Sequence, residues 1–163
     1  MNDAPQRPGE PGRSDDEHES MCRRCGVSCH LAIPVNGVPV VVPGLHCGFL
    51  DEVVPGRWAC RVYAERFERA PWCHHADLAL REGLLAHDCP YAAGTPGVRG
   101  KVRLPESTIA LLWPILAAEI RRAGVPYFVS QPALLAEFQR REGRTFRLEP
   151  DPRDTERVRL LPA

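Results

Sequence analysis

The pattern of apolar and polar positions changes twice along this chain, and each change predicts a different kind of element. Residues 1–20 show no apolar period. They are rich in Pro, Gly, Asp, Glu and Ser, contain no aromatic residue, and read as a disordered tail that has too little apolar surface to bury. Leu31 to Val42 is dense in Val and Ile around Asn36-Gly37, a dipeptide that accepts the positive φ angles of a type I′ turn, so a short β-hairpin is expected there. Pro34 and Pro39 lack an amide donor and push that hairpin to an edge. Ala59 to Arg69 is expected to be helical, with Val62, Tyr63, Arg66 and Phe67 at helical spacing, and a second short helix is expected from Ala76 to Leu85. Thr95 to Gly100 holds two glycines and a proline and reads as a linker or surface loop.

Further on, the helical period takes over. Ser107 or Thr108 can cap a helix that runs to about Ala123, with Ile109, Leu112, Trp113, Leu116 and Ile120 on one face and Gly124 as its stop. Pro114 lies well inside and is expected to kink it. Val125 to Val129 reads as a strand. Ser130 with Pro132 opens another helix, closed by Gly143, whose buried side holds Leu134, Leu135 and Phe138. Two helices with a short link invite a helix-turn-helix reading, but Val-Pro-Tyr-Phe-Val is wrong for that turn, and a cap packed on the preceding domain is the better account. The predicted fold class is α+β. It comprises an acidic tail (1–20), a small irregular metal-crosslinked domain with a short β-hairpin (21–103), and a helical C-terminal cap (104–163).

Composition narrows the function classes. The chain is 44% hydrophobic and 26% charged, the balance of a soluble globular protein. Nothing approaches the ~18 consecutive apolar residues that a membrane helix needs, so no membrane partner is expected. Residues 1–20 have no basic or apolar signal region, which makes the cytoplasm the expected compartment, one where thiols stay reduced. The formal charge is zero. The small basic excess over residues 21–103 is nearly all arginine, Lys101 being the only lysine, and it is too slight to imply nucleic acid. Its arginines can instead balance charge around thiolates.

The chemistry concentrates in seven cysteines, all before residue 90: Cys22, Cys25, Cys29, Cys47, Cys60, Cys73 and Cys89. An odd number in a reducing compartment does not suit a disulfide framework, whereas clustered thiols suit a metal. Cys22-Arg-Arg-Cys25-Gly26 has the form of a metal knuckle, in which a glycine at positive φ lets backbone amides face the sulfurs. His30, His46, His74 and His75 each adjoin or nearly adjoin a cysteine, but neighbouring side chains usually point apart, so at most one of each Cys-His pair is expected on a given ion. Cys73 with His74, His75 and Asp77 has the residue types of a thiol enzyme, but such partners normally come from distant segments. No catalytic assignment follows. No phosphate-cradling glycine motif is present either.

The thiol row resembles the zinc- or iron-chelating proteins named for a CxxCxxCC motif, the YkgJ-like cysteine-cluster proteins. The resemblance rests on Cys22-Arg-Arg-Cys25-Gly-Val-Ser-Cys29, Cys47-Gly-Phe-Leu50, Cys60-Arg-Val-Tyr63, Arg66, Cys73 and Asp88-Cys89-Pro90-Tyr91, and it covers about residues 21–91. Ser28 stands where the family has the first cysteine of its adjacent pair, and Phe67 stands where it has a proline. The resemblance implies a metal set of Cys22, Cys25, Cys29, Cys47, Cys60, Cys73 and Cys89, with His30 as the local substitute for the missing thiol. Eight such ligands suffice for two closed zinc sites, and four thiolates suffice for a [4Fe–4S] cluster. Scattered single cysteines favour iron or an iron–sulfur cluster over Zn2+ as the cofactor. The expected function is a cytoplasmic metal-binding protein with a structural, redox or metal-carrying role alongside a protein partner. The alternatives are a zinc-stabilised interaction module and an accessory subunit of a metalloenzyme.

Overall fold

The computed structural model describes residues 21–93, 95–97 and 99–163, so the tail expected over residues 1–20 lies outside the described residues. Two strands open the fold, β1 (His30–Val35) and β2 (Val38–His46), paired antiparallel. Asn36 (φ 50°) and Gly37 (φ 78°) both take the left-handed conformation at the turn, as the Asn-Gly dipeptide predicts. A second hairpin follows from β3 (Leu50–Val54) and β4 (Arg57–Cys60), with Leu50 opposite Cys60 and Glu52 opposite Trp58. Two short helices come next, α1 (Arg66–Arg69) and α2 (Ala76–Arg81). The long helix α3 (Glu106–Ala123), the short strand β5 (Val125–Pro126) and helix α4 (Gln131–Glu142) lead to a last hairpin, β6 (Phe146–Asp151) and β7 (Asp154–Pro162). Strand β7 is central in a three-stranded antiparallel sheet ordered β5-β7-β6. The mix of helices and small antiparallel sheets is α+β. No helix among the described residues is long and apolar enough to cross a membrane.

Four sequence expectations need correction. The helix expected over Ala59 to Arg69 is confined to Arg66–Arg69, because Ala59 and Cys60 are taken into β4 by pairing with Asp51 and Leu50. Asp51 and Glu52 sit in the partner strand β3. The helix expected to reach Leu85 stops at Arg81, and Gly83 (φ 67°) turns the chain so tightly that a Cβ there would lie 2.7 Å from the Arg99 carbonyl oxygen. The C-terminal region is only half helical, since residues 146–162 form a hairpin. The strand expected from Val125 to Val129 is two residues long.

Both long helices form where the apolar period places them. Helix α3 buries Ile109, Trp113, Leu116, Ala117 and Ile120 and runs through Pro114, which faces solvent, where water can satisfy the carbonyl that loses its amide partner. Helix α4 is capped by the Ser130 hydroxyl, which accepts from the Ala133 amide at 3.4 Å, and is closed by Gly143 (φ 67°). One core unites these helices with β1–β2: Ile33, Val40, Val42 and Leu45 pack with Ile109, Leu116, Leu134, Phe138 and Val158. The hairpin that carries the candidate site is thus clamped by the C-terminal half.

The clamp closes at Gly44. Its φ of 75° and its approach to α4 leave no room for a side chain, since a Cβ would sit 2.7 Å from Glu137 Cβ and 2.9 Å from the Ala133 oxygen. Around this residue the pairing of β1 with β2 jumps from Ala32↔Val41 to His30↔His46.

Phe138 is fully buried between the Trp113 and Phe146 rings, with centroids at 4.8 and 5.3 Å. Phe138→Ala is expected to cost about 3–5 kcal/mol in urea denaturation. Leu111→Ala, at a side chain 81% exposed, is expected to stay within about 0.5 kcal/mol. Similar costs for the two variants would contradict a core centred on Phe138.

Candidate metal centre

The site grows out of one strand pairing. Beyond His30↔His46 the ladder continues by one bond, with the Cys47 amide donating to the Cys29 carbonyl at 2.9 Å. Cys29-His30 thus runs antiparallel to His46-Cys47. Directly opposed residues share a face and adjacent residues take opposite faces, so this pairing sets two cysteines on one side and two histidines on the other.

On the thiol side, Cys29 is enclosed, and burial pushes its thiol up to about 11. The Ser28 hydroxyl lies 3.8 Å from the Cys29 sulfur and works against that shift, while negative charge on Cys47, Cys73 and Cys60 would add to it. Burial likewise raises Cys73, with Arg66 lowering it and Cys60 and Cys47 raising it. Cys29 is thus within electrostatic reach of Cys47, Cys60 and Cys73, and Cys73 within reach of Cys60 and Cys47. Local structure brings them there. Leu50 pairs with Cys60 and donates its amide to the Cys47 carbonyl, which ties β4 to the end of β2, and the Cys73 amide donates to Ala70 just after α1. Phe49, Trp72 and Phe128 stack alongside, with ring planes within 7° of parallel.

The other three thiols gather elsewhere. Cys89, raised chiefly by burial, senses Cys25 and Cys22, and Cys25 and Cys89 pack together against Val27, Val41 and Ala86. The Arg23–Asp88 ion pair at 3.0 Å bridges the same two segments. Gly26 has the positive φ expected after the knuckle (69°), and that conformation lets the Trp58 ring lie over it, 2.6 Å from where a Cβ would be. Although Cys29 follows Cys22 and Cys25 in one motif, the thiols that act on it most strongly are Cys47, Cys73 and Cys60.

His30 faces away from this chemistry. It is 4% exposed, its Nδ1 bonds the Gly26 carbonyl at 2.8 Å, and its ring packs against His46 at 5.2 Å and edge-on against Trp58 at 4.8 Å. Burial holds it down at about pH 4, with His46, Arg103 and Lys101 adding to the effect. His75 stacks on Phe67 at 3.9 Å. Lys101 is a participant that sequence reading missed. This buried lysine donates to the carbonyls of His30 (2.5 Å), Ser28 (3.1 Å) and Val27 (3.3 Å), fixing the turn before β1 and placing a cation near Cys29. Its status as the only lysine in an arginine-rich chain was the available signal.

Among the described residues, no three Cys, His, Asp or Glu side chains are arranged as they stand to hold one metal ion. Comparison with known proteins returns no match to any family model, curated protein or solved structure.

His30 supplies a pH test. Its folded value of about 4 lies below 6.5, so between these values the unfolded chain binds more protons. Stability is therefore expected to be full above about pH 7 and to fall as pH drops toward 4, by on the order of 3 kcal/mol. Urea midpoints measured in the presence of a chelator should show that slope, and His30→Gln should flatten it. Equal slopes in both proteins would contradict the assignment.

Proposed function

We propose that this chain is a metal-binding cysteine-cluster protein whose principal ligands are Cys29, Cys47, Cys60 and Cys73. What supports this reading is that ionised Cys47, Cys73 and Cys60, each from its own segment, would all raise the enclosed Cys29 thiol. Such a gathering is costly for metal-free protein as soon as the thiols ionise, because each thiolate raises the next. A bound cation reverses that cost. Closing the set requires the four side chains to turn toward a common centre, with protons released as the ion enters. Lys101, beside Cys29, offsets part of the negative charge that four thiolates would carry.

Four thiolates suit an iron–sulfur cluster, a single iron or Zn2+, in that order of preference, since each ligand comes from its own segment rather than from paired knuckles. Cys22, Cys25 and Cys89 make a subsidiary thiol group. A redox, structural or metal-carrying role in the cytoplasm with a protein partner is the matching function, as the resemblance to the zinc- or iron-chelating cysteine-cluster proteins implies. A partner's approach is supported on the side next to Cys60 and Cys73, where Tyr63, Phe67 and Tyr127 are exposed and Arg66 lies over the first two rings at 4.0 and 4.4 Å.

Anaerobically purified full-length protein should contain iron and show sulfur-to-iron charge-transfer absorption, or be colourless with stoichiometric zinc. In either case Cys47→Ser and Cys73→Ser should each remove that metal, and Cys22→Ser should leave it in place. Full metal content in Cys73→Ser protein would overturn the proposed ligand set.

A further inference from the structure

Cys22, Cys25 and Cys89 stand outside the proposed ligand set, and the fold gathers them in one place. Cys22 is exposed, while Cys25 and Cys89 are half-buried. Both half-buried thiols rest on one apolar patch made by Val27, Val41 and Ala86. Val41 belongs to β2 and Val27 to the turn that enters β1, so this patch is built on the same hairpin as the candidate metal centre. Hydrogen bonds fix the two segments against each other. Arg23, between Cys22 and Cys25 in sequence, donates to the Asp88 carboxylate at 3.1 Å and to the Asp88 carbonyl at 2.8 Å, which ties it to the residue before Cys89. The Arg103 guanidinium donates to the Cys25 carbonyl at 3.0 Å, and the Cys89 amide donates to the Ala86 carbonyl at 3.0 Å.

The chain turns sharply on both sides of Cys25. Arg24 (φ 52°) and Gly26 (φ 69°) are both left-handed. A residue with a side chain adopts that conformation only where its surroundings enforce it. Here the Arg24 carbonyl accepts the Trp58 amide at 2.9 Å, so tertiary contacts set the position of Cys25. The local charges agree with thiol chemistry. Burial raises Cys89, and the Tyr91 amide and the Arg23 guanidinium work against that rise. Arg23 is in electrostatic reach of Cys25 as well. A guanidinium beside two thiols stabilises whichever of them attacks or leaves as thiolate, which is the requirement of thiol–disulfide exchange. Three thiols are also one short of the four that a closed zinc site or a [4Fe–4S] cluster takes. Two half-buried thiols beside an exposed third are instead suited to a pair that closes, with the outer thiol open to a reagent.

We propose that Cys22, Cys25 and Cys89 form a redox-active thiol site that reacts with low-molecular-weight disulfides such as glutathione disulfide, and that its oxidised form is a Cys25–Cys89 disulfide. The exposed Cys22 thiolate attacks one sulfur of the reagent. A mixed disulfide forms as the reagent's S–S bond breaks, and the first half leaves as thiolate and takes up the proton that Cys22 gave up. The Cys25 thiolate then attacks the Cys22 sulfur, releasing the second half as a thiol and leaving Cys22–Cys25 joined. Last, the Cys89 thiolate attacks the Cys25 sulfur, forming Cys25–Cys89 and returning Cys22 to its thiol. In total two protein thiols lose two electrons and two protons, and one disulfide of the reagent becomes two thiols. A reversible disulfide of this kind is the sort that serves catalysis or sensing where thiols are kept reduced. The site does not depend on the metal reading, because Cys29, Cys47, Cys60 and Cys73 take no part in it.

Glutathione disulfide is the probe. Full-length protein is incubated with it anaerobically and quenched in acid, the remaining thiols are alkylated, and disulfide-linked peptides are mapped by mass spectrometry. Wild type should give a Cys25–Cys89 linked peptide that disappears when excess reduced glutathione is added. Cys22→Ser should reach the same end point at least about tenfold more slowly. Cys89→Ser, with an unchanged circular dichroism spectrum, should accumulate the Cys22–Cys25 disulfide instead. Wild-type protein that forms no Cys25–Cys89 link, or links Cys29 in its place, would overturn the site without recourse to any variant. Closure of Cys22→Ser at the wild-type rate would overturn the relay. Metal content is read on the same samples. Protein that forms the link but never holds metal upholds the thiol site and counts against the metal reading alone, whereas metal-bearing protein in which the link never forms overturns the thiol site alone.

Discussion

Everything chemical in this molecule hangs on the antiparallel pairing of Cys29-His30 with His46-Cys47. That pairing is made of backbone hydrogen bonds, yet it sorts side chains by type: thiols to one face, imidazoles to the other. A slip of one residue would move every side chain to the opposite face and mix the two sets. The register is therefore the device that keeps the sulfur side apart from the buried imidazoles.

The rest of the fold holds that register. Gly44 absorbs the extra residues of β2 in a left-handed conformation, and helix α4 presses on it so closely that no side chain fits. Helix α4 is in turn fixed by Leu134 and Phe138 in the main core and by Arg141, which reaches both Glu137 and Glu106 at the start of α3. Lys101 secures the other end by gathering three carbonyls around the turn that enters β1. The C-terminal half thus acts on the site indirectly, through the geometry of one hairpin.

Much of the scaffold could be read before the structure. Asn36-Gly37 marks its turn by chemistry, and the stripes through Ile109 to Ile120 and Leu134 to Phe138 mark two helices because tertiary burial agrees with local period. Residues 59–69 mislead because Val62, Tyr63, Arg66 and Phe67 imitate a helix, while Ala59 and Cys60 are claimed by pairing with Asp51 and Leu50. Phe146 and Leu148 alternate with Arg147 and Glu149, as do Val158 and Leu160 with their neighbours. This strand signal is short and is masked by the two strong helical stripes before it. At the site, the cysteines were legible by count and spacing, but their grouping was not. Counting back from the turn in an unbroken ladder places His30 opposite Pro43, and only the bulge at Gly44 brings His46 to it instead. The mirrored dipeptides Cys29-His30 and His46-Cys47 were the available clue, but only the folded register gives them meaning.

The register is most directly tested by nuclear Overhauser contacts in the metal-free protein. Ring protons of His30, His46 and Trp58 should show mutual cross-peaks, with the backbone of Cys29 close to that of Cys47. Contacts from the His30 ring to the β protons of Cys60 or Cys73, with none to His46, would contradict the two-faced arrangement.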